Sequence, residues 1–210
     1  MRKARPARPR RVLLRLARPT LAASLAVALA LAGGCGDGSD DGGEDVSERS
    51  APMTIQLASS AFDPGTIIPA RFTGDGEDLS PQLEWSGLPP GTAELALIVD
   101  DPDAPRAEPW VHWLLYGIPA TAAGLAEGIS GDPAGLQVAG GLREGKNDFG
   151  RPGYGGPAPP RGHGVHHYQF RLYALDAPLI LEAGATKSEL LRAMSGHVLA
   201  EGLLVGTYER

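Results

Sequence analysis

Two stretches of this 210-residue chain gather side chains that are charged at neutrality or titrate near it. The first runs Asp100-Asp101-Pro102-Asp103-Ala104-Pro105 and on to Trp110-Val111-His112-Trp113. The second is Pro159-Pro160-Arg161-Gly162-His163-Gly164-Val165-His166-His167-Tyr168. Each sets acids or imidazoles beside prolines and glycines at the edge of an apolar segment. Such groups are costly to bury unpaired, so their placement at strand ends points to a ligand. Asp and Pro also favour turns for backbone reasons alone, and the first stretch taken by itself is equally well a turn. Its close prolines stiffen it and can aim a carboxylate at little entropic cost, and its Asp-Pro and Ala-Pro bonds are where a cis peptide costs least.

The kinds of chemistry open to these residues differ in how well the spacing suits them. His163, His166 and His167 lack the His-Glu-x-x-His arrangement of a helical zinc site, and in a strand His166 and His167 point to opposite faces. No metal and no cofactor is therefore expected. No Gly-x-Ser-x-Gly elbow is present and no serine adjoins the histidines, so no catalytic residue is assigned; a hydrolase using an Asp/His base stays as an alternative. Residues 145–157 form a Gly and Pro-rich stretch with two aromatics, neither a Walker loop nor a dinucleotide fingerprint. They read as a mostly solvated loop, of the length that often rims a site. His166 and Tyr168 share a strand face. With His112 and Asp101 they would make a small pocket of ring N–H and phenol donors held by carboxylates, suited to a phosphate or carboxylate oxygen. The plainer reading of His166 is a hydrogen-bonded core histidine.

The elements that must position these groups are short. Residues 54–57, 82–85, 95–99, 111–116, 168–175 and 203–208 have strand length and composition. Alternation places Asp101 on the face of Leu95, Leu97 and Val99, and His112 on that of Leu114 and Tyr116. Thr186-Lys187-Ser188-Glu189 has the spacing of a capping box before Leu190, Leu191, Met194 and Val198, which predicts a helix from Lys187 to Ala200. A weaker helical pattern covers 121–127. The expected architecture is mainly β, two sheets packed face to face with a C-terminal helix and short peripheral helices.

The N-terminus has another purpose. Residues 1–34 open with eight of the 19 Lys and Arg and no acid, then turn apolar over 21–32. That run is shorter than the ~20 residues a spanning helix needs and reads as a secretory signal. It ends in Leu31-Ala32-Gly33-Gly34-Cys35, which resembles a bacterial lipobox, with Ala32 where leucine is usual; Cys35 is the expected lipidation site. Arg10-Arg11 resembles a twin-arginine export signal less closely. Residues 35–52 read as an acidic, Gly and Ser-rich tether, and 53–210 as one domain. From Cys35 onward the remaining 11 Lys and Arg meet all 25 Asp and Glu, a net of −14. A chain this acidic excludes nucleic acid as a partner.

With both clusters in view, the chain resembles the phosphatidylethanolamine-binding protein family, in its bacterial Raf kinase inhibitor-like (YbhB/YbcL) branch. That family's signatures look like Asp-Pro-Asp-Ala-Pro with Trp-x-His, and Gly-x-His-Arg-Tyr. Here they stand as Asp101 to Pro105 with Trp110-Val111-His112, and Gly164-Val165-His166-His167-Tyr168. The resemblance covers residues 53–210. It implies a β-sandwich with a small cavity for a phosphoryl-type anion, lined by Asp101, His112, Pro160, His166 and Tyr168 and supported by Asp103. His167 replaces the usual arginine, and Ala158 stands where bacterial relatives often have cysteine. The function so implied is a non-enzymatic, lipid-anchored envelope protein that binds a small anionic or phosphorylated ligand. The alternative is a protein-interaction module that inhibits a protease or kinase; a protein partner and a homodimer stay open.

Overall fold

The computed structural model describes residues 54–131 and 141–210. The signal, Cys35, the tether and Met53 lie outside the described residues. In chain order the strands are β1 (Gln56–Ala58), β2 (Leu83–Ser86), β3 (Glu94–Asp101), β4 (Trp110–Pro119), β5 (Gly124–Leu125), β6 (Arg143–Glu144), β7 (His166–Leu175) and β8 (Val198–Tyr208). Helix α1 (Lys187–Met194) precedes β8. One sheet has the order β1-β2-β5 and the other β6-β4-β3-β7-β8, with every pairing antiparallel.

The two faces of the larger sheet bury different partners. Leu95, Leu97 and Val99 of β3, Trp113 and Leu115 of β4, and Phe170 and Leu172 of β7 pack with Leu57, Leu83, Trp85 and Leu125 of the smaller sheet. Ala96, Ile98, Leu114 and Tyr116 face the other way, against Leu190 and Met194 of α1. Because both faces are covered, β3 is buried along all eight residues. The expected sandwich is observed, and α1 adds a layer outside it.

Three expectations are corrected. Helix α1 has the predicted capping box, with Thr186 and Glu189 bonding each other's backbone, but it ends at Met194 and not at Ala200. Gly196 adopts φ 83°, a left-handed turn that glycine takes without strain, and Val198 then pairs with Leu175 in the sheet. Within 121–127 the structure has no helix; Gly124 and Leu125 pair with Glu84 and Leu83 as β5. His112 does not follow the face of Leu114 and Tyr116. In the β3–β4 ladder Val99 pairs with Trp113 and Asp100 with Val111, so His112 is the extra residue of a bulge. A bulge re-aims side chains, and this one turns His112 toward Tyr168 on β7. No cis peptide bond occurs among the described residues.

Candidate functional site

Where β3 ends and β4 and β7 begin, the sandwich core gives way to a cavity of about 230 Å³. Asp101, His112, His166 and Tyr168 supply its polar groups, and Ala104, Pro105, Trp110, Phe149, Ala158, Pro159 and Pro160 its apolar wall. A wider groove of about 640 Å³ lies beside the start of α1. Its charges are largely answered within the fold, Arg106 by Asp148 at 3.1 Å and Lys187 by Asp100. The smaller cavity is where sequence and geometry converge.

Asp101 continues the alternation of Leu97 and Val99, which carries its carboxylate past the end of the core into the cavity. One oxygen lies 2.7 Å from His166 Nδ1 and the other accepts the Asp103 amide at 2.8 Å. The Asp103 side chain points elsewhere: it accepts from the His167 amide at 2.8 Å and meets His167 Nδ1 at 2.7 Å. Asp103 is thus a brace for the loop and does not line the cavity. Its carboxyl sits below the ordinary carboxylate range, the upward push of desolvation being outweighed by the bonds from His167. The imidazole at 167 fills the place facing that carboxylate on the outer side, away from His166.

His166 is 1% exposed and uses both ring nitrogens. Nδ1 meets Asp101, and Nε2 lies 2.8 Å from Nδ1 of His163. His163 does not line the pocket, yet its exposed ring is tied directly to a residue that does. Gly162 and Gly164 on either side of it both have positive φ, which lets the chain double back there.

His112 is held from the opposite side. Its Nδ1 is 2.5 Å from the carbonyl of Gly155, whose amide in turn donates to the His112 carbonyl at 3.0 Å. Burial pushes the His112 pKa down, opposed by the Gly155 bond and the charges of Asp101, Asp100 and Asp78. Tyr168, 1% exposed, packs its ring edge-on to His112 with centroids 5.0 Å apart. Its hydroxyl has no hydrogen-bond partner among the described residues. Burial, with smaller contributions from Asp101 and Asp103, drives its pKa well upward, so the phenol keeps its proton.

The stretch 145–157 is more than a solvated loop. Asn147 is buried, donates to the Gly153 carbonyl at 2.8 Å and accepts from the amides of Phe149 and Arg151. Asp148 accepts the Val111 amide at 2.8 Å, which fastens the loop to the bulged end of β4. Residues 153–157 are buried, and a Cβ at Gly155 would come within 2.6 Å of the Phe149 ring. Phe149 and Trp110, 5.4 Å apart, form the aromatic side of the mouth. Sequence reasoning did not assign these two; the signal for Phe149 was an aromatic in a glycine-rich stretch, which gives no partner until the fold supplies one. Among the described residues no group of three His, Cys, Asp or Glu side chains could hold a metal ion.

Residues 58–209 match the protein family described as phosphatidylethanolamine-binding protein.

The chain belongs to the phosphatidylethanolamine-binding protein family.

Its relatives include a UPF0098 protein of Methanothermobacter thermautotrophicus, 48% identical over 156 residues that span 74% of this chain and 99% of that one. A protein named putative lipoprotein LppC, from Mycobacterium tuberculosis, is 42% identical over 158 residues, 75% of this chain and 73% of its own. Among solved structures, Escherichia coli YbcL superposes with a TM-score of 0.69 at 32% identity, covering 74% of this chain and 98% of the other. The Chlamydia trachomatis homologue CT736 of this family gives 0.66 at 39% identity, covering 75% and 98%. The two segments that resemble the family's signatures therefore meet across β3, β4 and β7 around a single cavity.

Proposed function

We propose that this member of the family is a binding protein whose cavity takes the oxyanion of a small phosphorylated or otherwise anionic ligand. One observation carries the reading: Tyr168 is among the residues that line the cavity, and its buried hydroxyl has no partner among the described residues. Leaving such a group unbonded costs about 1–3 kcal/mol, and a ligand oxygen supplies the missing acceptor. The wall of Pro105, Trp110, Phe149 and Pro160 suits a small organic group attached to that oxyanion. Among the described residues no serine, threonine, cysteine or lysine lines the cavity, and the Asp101–His166 pair is directed at His163, which favours binding over hydrolysis. Calorimetric titration of the full chain with methyl phosphate tests this. The wild type should bind, and Tyr168→Phe should bind at least about tenfold more weakly, about 1.4 kcal/mol. Equal affinity in the two proteins would overturn the assignment.

The reading extends to the cell envelope. Acylation of Cys35 would hold the domain at a bacterial membrane, about 0.8 kcal/mol for each buried CH₂, with more than one chain making the anchor stable. The lipobox-like sequence supports this, as does a relative named a putative lipoprotein. In fractionated cells Cys35→Ala should move from the membrane to the soluble fraction; a variant that stays with the membrane contradicts it.

A further inference from the structure

Two polar atoms on side chains that line the cavity have no partner among the described residues, and they are of opposite character. Tyr168 Oη carries a proton to donate. His112 Nδ1 faces a backbone carbonyl at 2.5 Å, and a carbonyl can only accept, so the ring proton sits on Nδ1. In the neutral ring Nε2 is then a bare lone pair, and burial favours the neutral ring. The other side chains of the floor are committed. Asp101 spends its oxygens on His166 and the Asp103 amide, and His166 Nε2 meets His163. Among the described residues no lysine or arginine lines the cavity, so a second negative charge on a ligand finds no lining cation to pair with. A fully deprotonated oxyanion could accept from Tyr168 but would set lone pair against lone pair at His112.

We propose that the cavity selects an oxyacid that retains one proton, a phosphomonoester as its monoanion, whose P–O–H donates to His112 Nε2 while a second oxygen accepts from Tyr168. This rests on the anion-binding reading above and makes His112 the residue that determines specificity. Sulfate esters and phosphodiesters carry the same single charge but have no proton to give, and they leave the His112 lone pair unanswered. The charged and titratable groups facing His112 are Asp101 and Asp100 of β3, Asp78 of the loop before β2, and Tyr168 of β7, with His166 and His163 beside Asp101.

Titration calorimetry of the full chain with methyl phosphate, dimethyl phosphate and methyl sulfate tests the proposal. At about pH 6, near the second pKa of a phosphomonoester, methyl phosphate should bind at least about tenfold more tightly than either of the others. Its affinity should then fall by about tenfold per pH unit as the monoanion is lost, a fall the diester and the sulfate do not share. The diester has no titrating proton, so its profile records the protein's own imidazoles. Equal affinity for all three at about pH 6 would overturn the selectivity while leaving anion binding in place. Binding of none of them would overturn the anion reading itself, and the selectivity with it.

Discussion

At Asp101 both carboxylate oxygens are committed, one to His166 and one to the Asp103 amide, in a residue 3% exposed. Replacing it by alanine strands two donors and should cost about 3 kcal/mol in chemical denaturation, the scale expected for breaking a buried pair. Tyr168→Phe should behave oppositely. It removes a hydroxyl that no protein group satisfies, so stability without ligand should stay within about 1 kcal/mol of wild type while affinity falls. His166→Ala is expected to weaken methyl phosphate binding too, by freeing His163 and leaving Asp101 without its ring partner. His112 gives a pH dependence whose sign follows from its lowered pKa. The unfolded chain takes up a proton near pH 6.5 that the folded chain resists, so the stability contributed is present above about pH 6.5 and lost as pH falls. Urea titrations should show a steeper acid-side loss for wild type than for His112→Phe; parallel curves would contradict the buried neutral ring. Asp103, also lowered in the fold, loses its contribution only at more acidic pH, below about 4. Alternation alone was enough to set Asp101 on the face of Leu97 and Val99, and His166 with Tyr168 on one face of their strand and His167 on the other; that the two strands are neighbours came with the fold. It failed at His112, because a bulge inserts a residue where sequence periodicity has no mark for it.

The loop before β7 and the bulged end of β4 act as one element. Asn147 organises it through three hydrogen bonds, and Asp148 and Gly155 bind it to Val111 and His112. Asn147→Ala should therefore raise hydrogen exchange across 147–155 and weaken ligand binding, because Phe149 leaves the mouth and Gly155 no longer fixes the His112 ring. Unchanged exchange would show that the backbone holds the loop unaided. At α1 the effect should be local: Thr186→Ala removes the cap, costs about 1 kcal/mol and leaves ligand affinity unchanged. The cap was legible because Thr186 and Glu189 declare it within four residues. The end of the helix was not, since Val198 fits a helical stripe as well as it fits a strand, and only pairing with Leu175 decides. The turn content of 145–157 was equally legible, but its burial was not: which backbone groups a glycine-rich loop satisfies depends on strands more than thirty residues away in the chain.

For the whole molecule, two packed sheets and an outer helix were foreseeable from short strands with a single well-capped helix, and the order β6-β4-β3-β7-β8 explains why the two polar clusters meet. β3 lies between β4 and β7, so Asp101 at its end is adjacent both to the start of β7 and to the bulge of β4. The two clusters stand far apart along the chain, and the ladder brings them to a common cavity. The most direct test of that cavity as an oxyanion site is a crystal of the protein grown or soaked with methyl phosphate. Phosphorus density should appear inside the cavity, with ligand oxygens within about 3 Å of Tyr168 Oη and His112 Nε2. An empty cavity with the anion bound elsewhere, or a ligand that leaves the Tyr168 hydroxyl unbonded, would contradict it.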